Sequence, residues 1–383
     1  MEKESFIPLS TPNLSGNEWN YVKDCLDTGW ISSAGSYVEQ FENRVAEFTG
    51  STYGIAVMNG TSALQLALML AGVSAGDYVI LPNITFVATA NAVRYLGAEP
   101  VFIDVDPNTW QMDLELLRSF LDSESAEGDD GERRMRTDGR RISALIPVHV
   151  LGNMCDVDKL QEIAEKYSIP IVEDAAESLG STYKGKHAGT FGKFGCLSFN
   201  GNKIVSTGGG GLILTDDKDL ALRAQHLSTT AKADSETFFH DEVGYNFRMV
   251  NVLAAIGVAQ MEQLPHFIRR KQEIIRFYEG ALAGVGDICF QKLLPEVKSN
   301  GFLFTILSKR RSELIDHLRK KGILSRSLWI PMNRLPMFEN YRYIQENDVS
   351  NEIQSRSISI PSSTNITEQQ LARVVREIEV ALD

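Results

Sequence analysis

From Thr52 to about Thr215 the chain alternates short apolar, β-rich runs with amphipathic stretches of helical length. That alternation admits few arrangements other than an α/β sheet covered by helices. The runs Gly54–Met58, Tyr78–Leu81, Pro100–Ile103, Ser143–Val148, Pro170–Val172, Cys196–Phe199 and Gly211–Leu214 read as strands. Helical patterns such as Thr61–Leu70, Thr85–Leu96 and Val157–Tyr167 lie between them. Seven strands make one large sheet, mostly parallel because helical crossovers separate its strands. Val258–Ile275 then reads as a long helix, Gly301–Leu307 as a strand, Ser312–Lys321 as a helix and Thr367–Leu382 as a final helix, the pattern of a smaller α+β domain. The chain has 383 residues, which at about 150 residues per domain suits one large and one small unit. We expect a large domain over 1–255 and a connecting helix with a small domain over 256–383.

One segment breaks the pattern. Asp122–Arg141 carries seven acids and five arginines with almost no apolar residue, so it cannot bury enough surface to join a core. It reads as an exposed insertion, a solvated hairpin or loop, with partner binding as the alternative.

Composition narrows the function. Lys plus Arg number 38 against 50 Asp plus Glu, a net charge of −12, and no basic tract offers itself to nucleic acid or an anionic membrane. The opening residues Met1–Ser5 lead into a Pro-containing segment without an apolar core, and no run approaches the ~18 apolar residues of a membrane span. A cytoplasmic protein acting on a small substrate is expected. Cys25, Cys155, Cys196 and Cys289 lie far apart and never form C-x-x-C, so reduced core thiols are expected, with neither a metal site nor a disulfide framework.

The chemistry concentrates at predicted strand ends. Ile169–Glu177 (IPIVEDAAE) is an apolar run ending at Asp174, and open α/β sheets bind ligands beyond the carboxyl ends of their strands. Capping the next helix is the simpler role for this Asp. The following strand shifts the balance: CLSFNGNK ends at Lys203, and four glycines, Gly208–Gly211, follow shortly after. Consecutive glycines suit a chain that turns tightly or comes close to a ligand, and a lysine held there can form a Schiff base with a carbonyl. An Asp beside it suits a pyridinium nitrogen. Asn59-Gly60-Thr61-Ser62 joins a strand to a helix, and the free amides of such a start cradle a phosphate or simply carry a cap. Ser198 can add a hydroxyl. Phe86, at a strand-to-helix junction, is placed either to cover a flat ring or to fill the core.

The ordered motifs NGTSA, TFVAT, VEDAAESLG, SFNGNK, TGGGG and GYNFR (Gly244–Arg248) resemble the DegT/DnrJ/StrS family of pyridoxal-phosphate-dependent nucleotide-sugar aminotransferases across essentially the whole chain. Within it, SFNGNK, the 122–141 insertion, HDEVGYNFR and SRSLW (Ser325–Trp329) resemble the branch acting on UDP-4-keto-6-deoxy-N-acetylglucosamine in bacillosamine and legionaminic acid pathways. The resemblance implies the fold-type I, aspartate aminotransferase-like architecture and a homodimer with active sites at the subunit interface. It casts Lys203 as the catalytic lysine that carries pyridoxal 5′-phosphate as a Schiff base and moves the proton. Asp174 is then the pyridinium partner, Phe86 the stacking ring, and Thr61, Ser62 and Ser198 the phosphate ligands. Asn246 would reach the phosphate of the neighbouring subunit. Glu177 stands near the cofactor's phenolic oxygen where relatives often carry Gln or His.

For the sugar nucleotide the candidates are Arg248 and Arg326 toward the diphosphate, with a solvated surface position as the alternative for each, Asn202 beside Lys203, and Trp30 and Ile31 in a segment (TGWISS) resembling the family's N-terminal sugar-binding loop, with an interface role as the alternative for Trp30. The expected reaction moves an amino group from L-glutamate, through pyridoxamine phosphate, to C4 of the UDP-linked keto sugar. A GDP- or dTDP-linked keto sugar is the alternative substrate. Sugar dehydratases of the same fold carry His where this chain has Lys203. A non-catalytic cofactor-binding regulator is the alternative of another class.

Overall fold

The structure, a computed structural model, describes residues 6–234 and 236–383. Met1–Ser5, on which the reading of the amino terminus rests, lie outside the described residues. All seven expected strands of the large sheet form: β1 (Tyr53–Val57), β2 (Tyr78–Pro82), β3 (Glu99–Ile103), β4 (Ile142–Leu145), β5 (Val172–Asp174), β6 (Phe194–Ser198) and β7 (Gly211–Thr215). Hydrogen bonding orders them β1-β7-β6-β5 and β4-β2-β3, and parallel bridges Leu145–Ile171 and Val148–Asp174 join β4 to β5. Strand β7 runs antiparallel to both β1 and β6, while the remaining pairs are parallel. The reason is local. Strands β6 and β7 are joined by a loop without a crossover helix, and such a connection returns the chain antiparallel.

The inner strands are buried on both faces, as in helix-covered sheets. Alternate residues feed two cores: Val79, Leu81 and Phe102 face one side, and Ile80, Val101 and Ile103 the other. The expected helices appear as Gly60–Leu70, Val87–Tyr95 and Val157–Lys166. The long helix exceeds its expected span, running over Asn251–Leu282 through Pro265. Its first turns pack so tightly that a Cβ on Gly257 would lie 2.6 Å from the Phe41 ring.

The C-terminal part builds an antiparallel sheet from Cys289–Phe290, Phe304–Leu307 and Ser357–Ile360. The helices Arg311–Lys320 and Glu368–Leu382 share its apolar cluster, through Leu314, Leu318, Leu371 and Val374. Two segments cross the expected boundary at residue 255: Tyr343–Ile344 adds a parallel strand beside β3, and Ile7 bridges to Ile323. The acidic and arginine-rich insertion forms a hairpin, Ser125–Glu127 with Arg133–Met135, and it is docked to the body rather than free in solvent. Met135 is buried, Arg141 pairs with Asp77 at 2.6 Å, and Arg140 lies 4.1 Å over the Tyr78 ring. All four cysteines are free thiols; three are buried, and Cys289 is exposed, against expectation. No helix among the described residues is long and apolar enough to cross a membrane.

Candidate active site

A cavity of about 520 Å³ opens at the carboxyl ends of the central strands. Its walls include Thr61, Phe86, Asp174, Glu177, Ser198 and Lys203, and Asn202, Arg326 and Trp329 also line it. Eight of the residues singled out from the sequence thus meet in one place, drawn from segments 265 residues apart between Thr61 and Arg326.

Lys203 sits on the loop from β6 to β7, in a turn closed by its own N–H to the Asn200 carbonyl at 2.9 Å. Its Nζ donates to Glu177 Oε1 at 3.2 Å and rests 4.6 Å from the centroid of the buried Phe302 ring. The second Glu177 oxygen accepts the Leu151 N–H at 3.0 Å. Leu151 has φ +60°, a region that costs a non-glycine residue of order 1 kcal/mol, and this strained backbone supports the amide that holds Glu177.

Asp174 ends β5. One carboxylate oxygen accepts from Thr89 Oγ1 at 2.6 Å and the other from the Ala176 N–H at 3.1 Å. Thr89 is buried and linked in turn to Thr85 Oγ1 at 2.8 Å. The neighbouring Glu173 points the other way into the protein. Burial raises its pKa, but the bond to His149 and the amides of Gly189 and Gly192 outweigh burial and leave it below the usual carboxylate range. Burial pushes the Cys196 thiol, next to these carboxylates, far up, so it is an inert core residue.

The helix Gly60–Leu70 points its start at the cavity. Asn59 Oδ1 caps the Ser62 N–H at 2.8 Å, which leaves the Gly60 and Thr61 amides without an intrahelical acceptor. Glycine is required twice here. A Cβ on Gly60 would lie 2.9 Å from Ser198 Cβ, and one on Gly211 would lie 2.4 Å from the Asn59 carbonyl. These close approaches bring helix start, Ser198 and Lys203 into one cup.

Four expected contacts fall outside the cavity of this chain. Ser62 is buried with its amide taken by Asn59, behind the cavity wall rather than in it. Arg248, expected at the substrate, is a half-buried brace: both its terminal nitrogens bond the Glu42 carboxylate, which also accepts the Ala56 N–H at 2.6 Å. This ties the helix Ser36–Thr49 to β1. Trp30 and Ile31 are exposed, and the Trp30 carbonyl is held by Asn251 at 2.6 Å, away from the cavity. Asn246 bridges to Thr229 and does not line the cavity of its own chain.

Sequence reasoning missed Thr89, Trp329 and Phe302. Thr89 was in view inside the TFVAT motif, four residues after Thr85, one helical turn away. Trp329 lies 6.3 Å from the Phe86 ring, so two aromatic rings border the mouth. Arg326 is fixed by a backbone exchange with Ser359 at 3.2 and 2.7 Å, with its side chain at the cavity.

The donor set fits a phosphorylated pyridine aldehyde. It offers an amine, a carboxylate fixed by two donors, a helix start with hydroxyls, and an aromatic face. Asn202 Oδ1, buried at the cavity without a hydrogen-bond partner among the described residues, further marks a place for a polar ligand.

The sequence model of the DegT/DnrJ/EryC1/StrS aminotransferase family matches residues 12–379. The chain is 37% identical to GDP-perosamine synthase of Escherichia coli O157:H7, over 97% of this chain and 98% of that protein. It is 35% identical to UDP-2-acetamido-2-deoxy-3-oxo-D-glucuronate aminotransferase of Pseudomonas aeruginosa, over 84% of this chain and 86% of that one. Among solved structures, Spr1654 of Streptococcus pneumoniae in its PLP form superposes with a TM-score of 0.89 at 25% identity, 99% of each chain being covered. The chain belongs to the DegT/DnrJ/EryC1/StrS aminotransferase family and is a pyridoxal-phosphate-dependent sugar aminotransferase of fold type I.

Proposed function

We propose that the chain transfers an amino group from L-glutamate to C4 of a UDP-linked 4-keto-6-deoxy-N-acetylhexosamine, for bacterial glycan biosynthesis. The observation that carries the substrate reading is the position of Ser325–Trp329. This segment, on which the likeness to the UDP-sugar branch rests, places Arg326 and Trp329 on the cavity wall. An arginine there is suited to a diphosphate.

When bound, pyridoxal phosphate supplies an electron-withdrawing ring that accepts the electrons released at the substrate carbon. Lys203 holds the cofactor and moves the proton between cofactor and substrate carbon, a general acid–base role for an amine at the strand ends. Glu177, 3.2 Å from Nζ, orients that amine. Asp174, fixed by Thr89 and Ala176, keeps the pyridine nitrogen protonated. The amides of Gly60 and Thr61, with the Thr61 and Ser198 hydroxyls, bind the phosphate, and Phe86 covers the ring face. Two chains sharing their sites would add Asn246 from the neighbour. The exposed Trp19, Leu26, Trp30, Phe238 and Phe239 supply apolar surface for that assembly.

A second reading, a GDP-linked 4-keto-6-deoxy sugar, is favoured by the similarity to GDP-perosamine synthase. Both readings are tested by incubating the protein with glutamate, pyridoxal phosphate and each keto sugar, followed by mass spectrometry and NMR of the product. A UDP-4-amino-4,6-dideoxy product supports the first reading; amination confined to the GDP substrate replaces it with the second. A cofactor band unresponsive to glutamate would indicate a binding protein.

A further inference from the structure

Lys271 stands out as a buried titratable group with no part in the chemistry above. It lies on the long helix Asn251–Leu282, 4% exposed. Its Nζ donates to two main-chain carbonyls, Phe302 at 2.8 Å and Ser362 at 2.6 Å. No acidic side chain among the described residues pairs with it, and burial pulls its amine down to about 7. A neutral amine keeps two N–H groups, which matches the two carbonyls. Lysine is rarely so deep in a protein without a carboxylate partner, and this one is placed where segments converge on Lys203.

Phe302 is the link. Its carbonyl is held by Lys271, its ring is 4.6 Å from Lys203 Nζ, and its N–H donates to Asn300 Oδ1 at 2.9 Å. Asn300 also donates to the Glu177 carbonyl at 2.8 Å. The residue between them, Gly301, has φ +68°, and a Cβ there would lie 2.4 Å from Ile275, so the segment comes as close to the long helix as a chain can. The other partner leads to Lys203 from the opposite side: the Ser362 N–H bonds the Leu9 carbonyl at 3.1 Å, and Ser10 Oγ donates to the Asn202 carbonyl at 3.2 Å. Between the two lysines lies a polar cavity of about 10 Å³ that both of them line, with Ser10, Asn13, Asn202 and Ser363. That is room for about one water.

We propose that Lys271 is a positioning residue for the Lys203 amine: by clamping the Phe302 and Ser362 carbonyls it fixes the Phe302 ring under Lys203 Nζ and the segment that precedes Lys203. The inference rests on the reading of Lys203 as the lysine that carries the cofactor. Besides Lys271, the titratable and charged groups around Lys203 among the described residues are Glu177, in contact, and Asp174 and Arg326 on the walls of the large cavity. The ring face favours a cation at the lysine nitrogen.

The test compares K271M and F302L holoenzymes with the unchanged protein by the pH midpoint of the cofactor's absorbance band, with circular dichroism as the folding control. Borohydride reduction and peptide mass spectrometry of the unchanged protein first locate the cofactor. A label away from Lys203 overturns the functional reading and this inference with it. With the label on Lys203, both variants are expected to lower the midpoint by about 0.5 pH unit, the size of a cation–π contact. A purely structural Lys271 would lower thermal stability and leave the midpoint in place, which overturns the inference. F302L, which leaves Lys271 and its carbonyl partners intact, decides even where K271M does not fold: an unchanged midpoint in F302L also overturns it.

Discussion

Thr89 Oγ1 donates to Asp174 Oδ2 at 2.6 Å, from a helix that starts just after Phe86. The residue that caps this short helix therefore carries the ring at the cavity mouth, and its first turn carries the hydroxyl that steadies the carboxylate. A hydrogen bond to a charged group contributes about 1.5–3 kcal/mol, so Thr89→Val, which keeps the shape and removes the donor, should weaken cofactor binding roughly 10-fold or more. Equilibrium titration with pyridoxal phosphate checks it; unchanged affinity would mean Asp174 is held well enough by the Ala176 amide.

Lys203→Ala should keep the fold, since the turn at Lys203 is closed by its backbone N–H. Turnover should fall by at least about 10²–10⁴, the range lost with a general acid–base group. Steady-state assays with each keto sugar read this directly, and near-normal turnover in the variant would assign the proton transfer to another group.

Arg248 and Glu42 are 11% and 13% exposed. Removing one partner strands the other in a poorly hydrated place, at a cost of about 3 kcal/mol. Arg248→Met should thus lower stability to denaturant while KM for the sugar nucleotide stays within about two-fold. A large rise in KM at unchanged stability would restore Arg248 to the substrate.

Lys271 gives stability a pH signature. With its amine near 7 in the folded protein, the unfolded chain holds a proton that the folded chain has released, from about pH 7 up to the ordinary lysine range. The state that binds more protons is favoured by acid, so this group makes the fold more stable as pH rises through that window, and its burial costs most below pH 7. Between pH 7 and 9 the unchanged protein should gain on the order of 2 kcal/mol relative to K271M. Denaturant titrations at both pH values test it, and parallel pH profiles would refute it.

What was legible in the sequence follows from range. Inner strands of a parallel sheet are apolar on both faces, so β2 and β6 show as unbroken runs, and the chemistry at their ends follows from where such sheets bind ligands. Asp174 and Lys203 could be read for that reason. The partners of Arg248 could not, because Glu42 is 206 residues away and nothing local distinguishes a bracing arginine from one that meets a phosphate. Lys271 and Phe302 were hidden in the same way. A lysine on an amphipathic helix reads as surface, and it takes the convergence of residues near 10, 302 and 362 to bury it. The long helix was read short because Gly257 near its start and Arg276, Glu279 and Gly280 near its end break the helical pattern, while tertiary contacts such as Phe41 against Gly257 sustain it.

The antiparallel return of β7 has a further consequence for when the Lys203 segment opens. Both ends of its loop are anchored in adjacent strands, and the loop is stitched to itself by the Phe199 N–H to the Gly210 carbonyl at 2.8 Å and the Thr207 N–H to the Phe199 carbonyl at 2.9 Å. Phe199, Thr207 and Gly210 are buried, while Asn200 and Gly208 beside them are exposed, so these two bonded amides should exchange with solvent deuterium more slowly than the exposed turn they flank. Lys203 thus sits on a turn whose two ends are held by strands of the core.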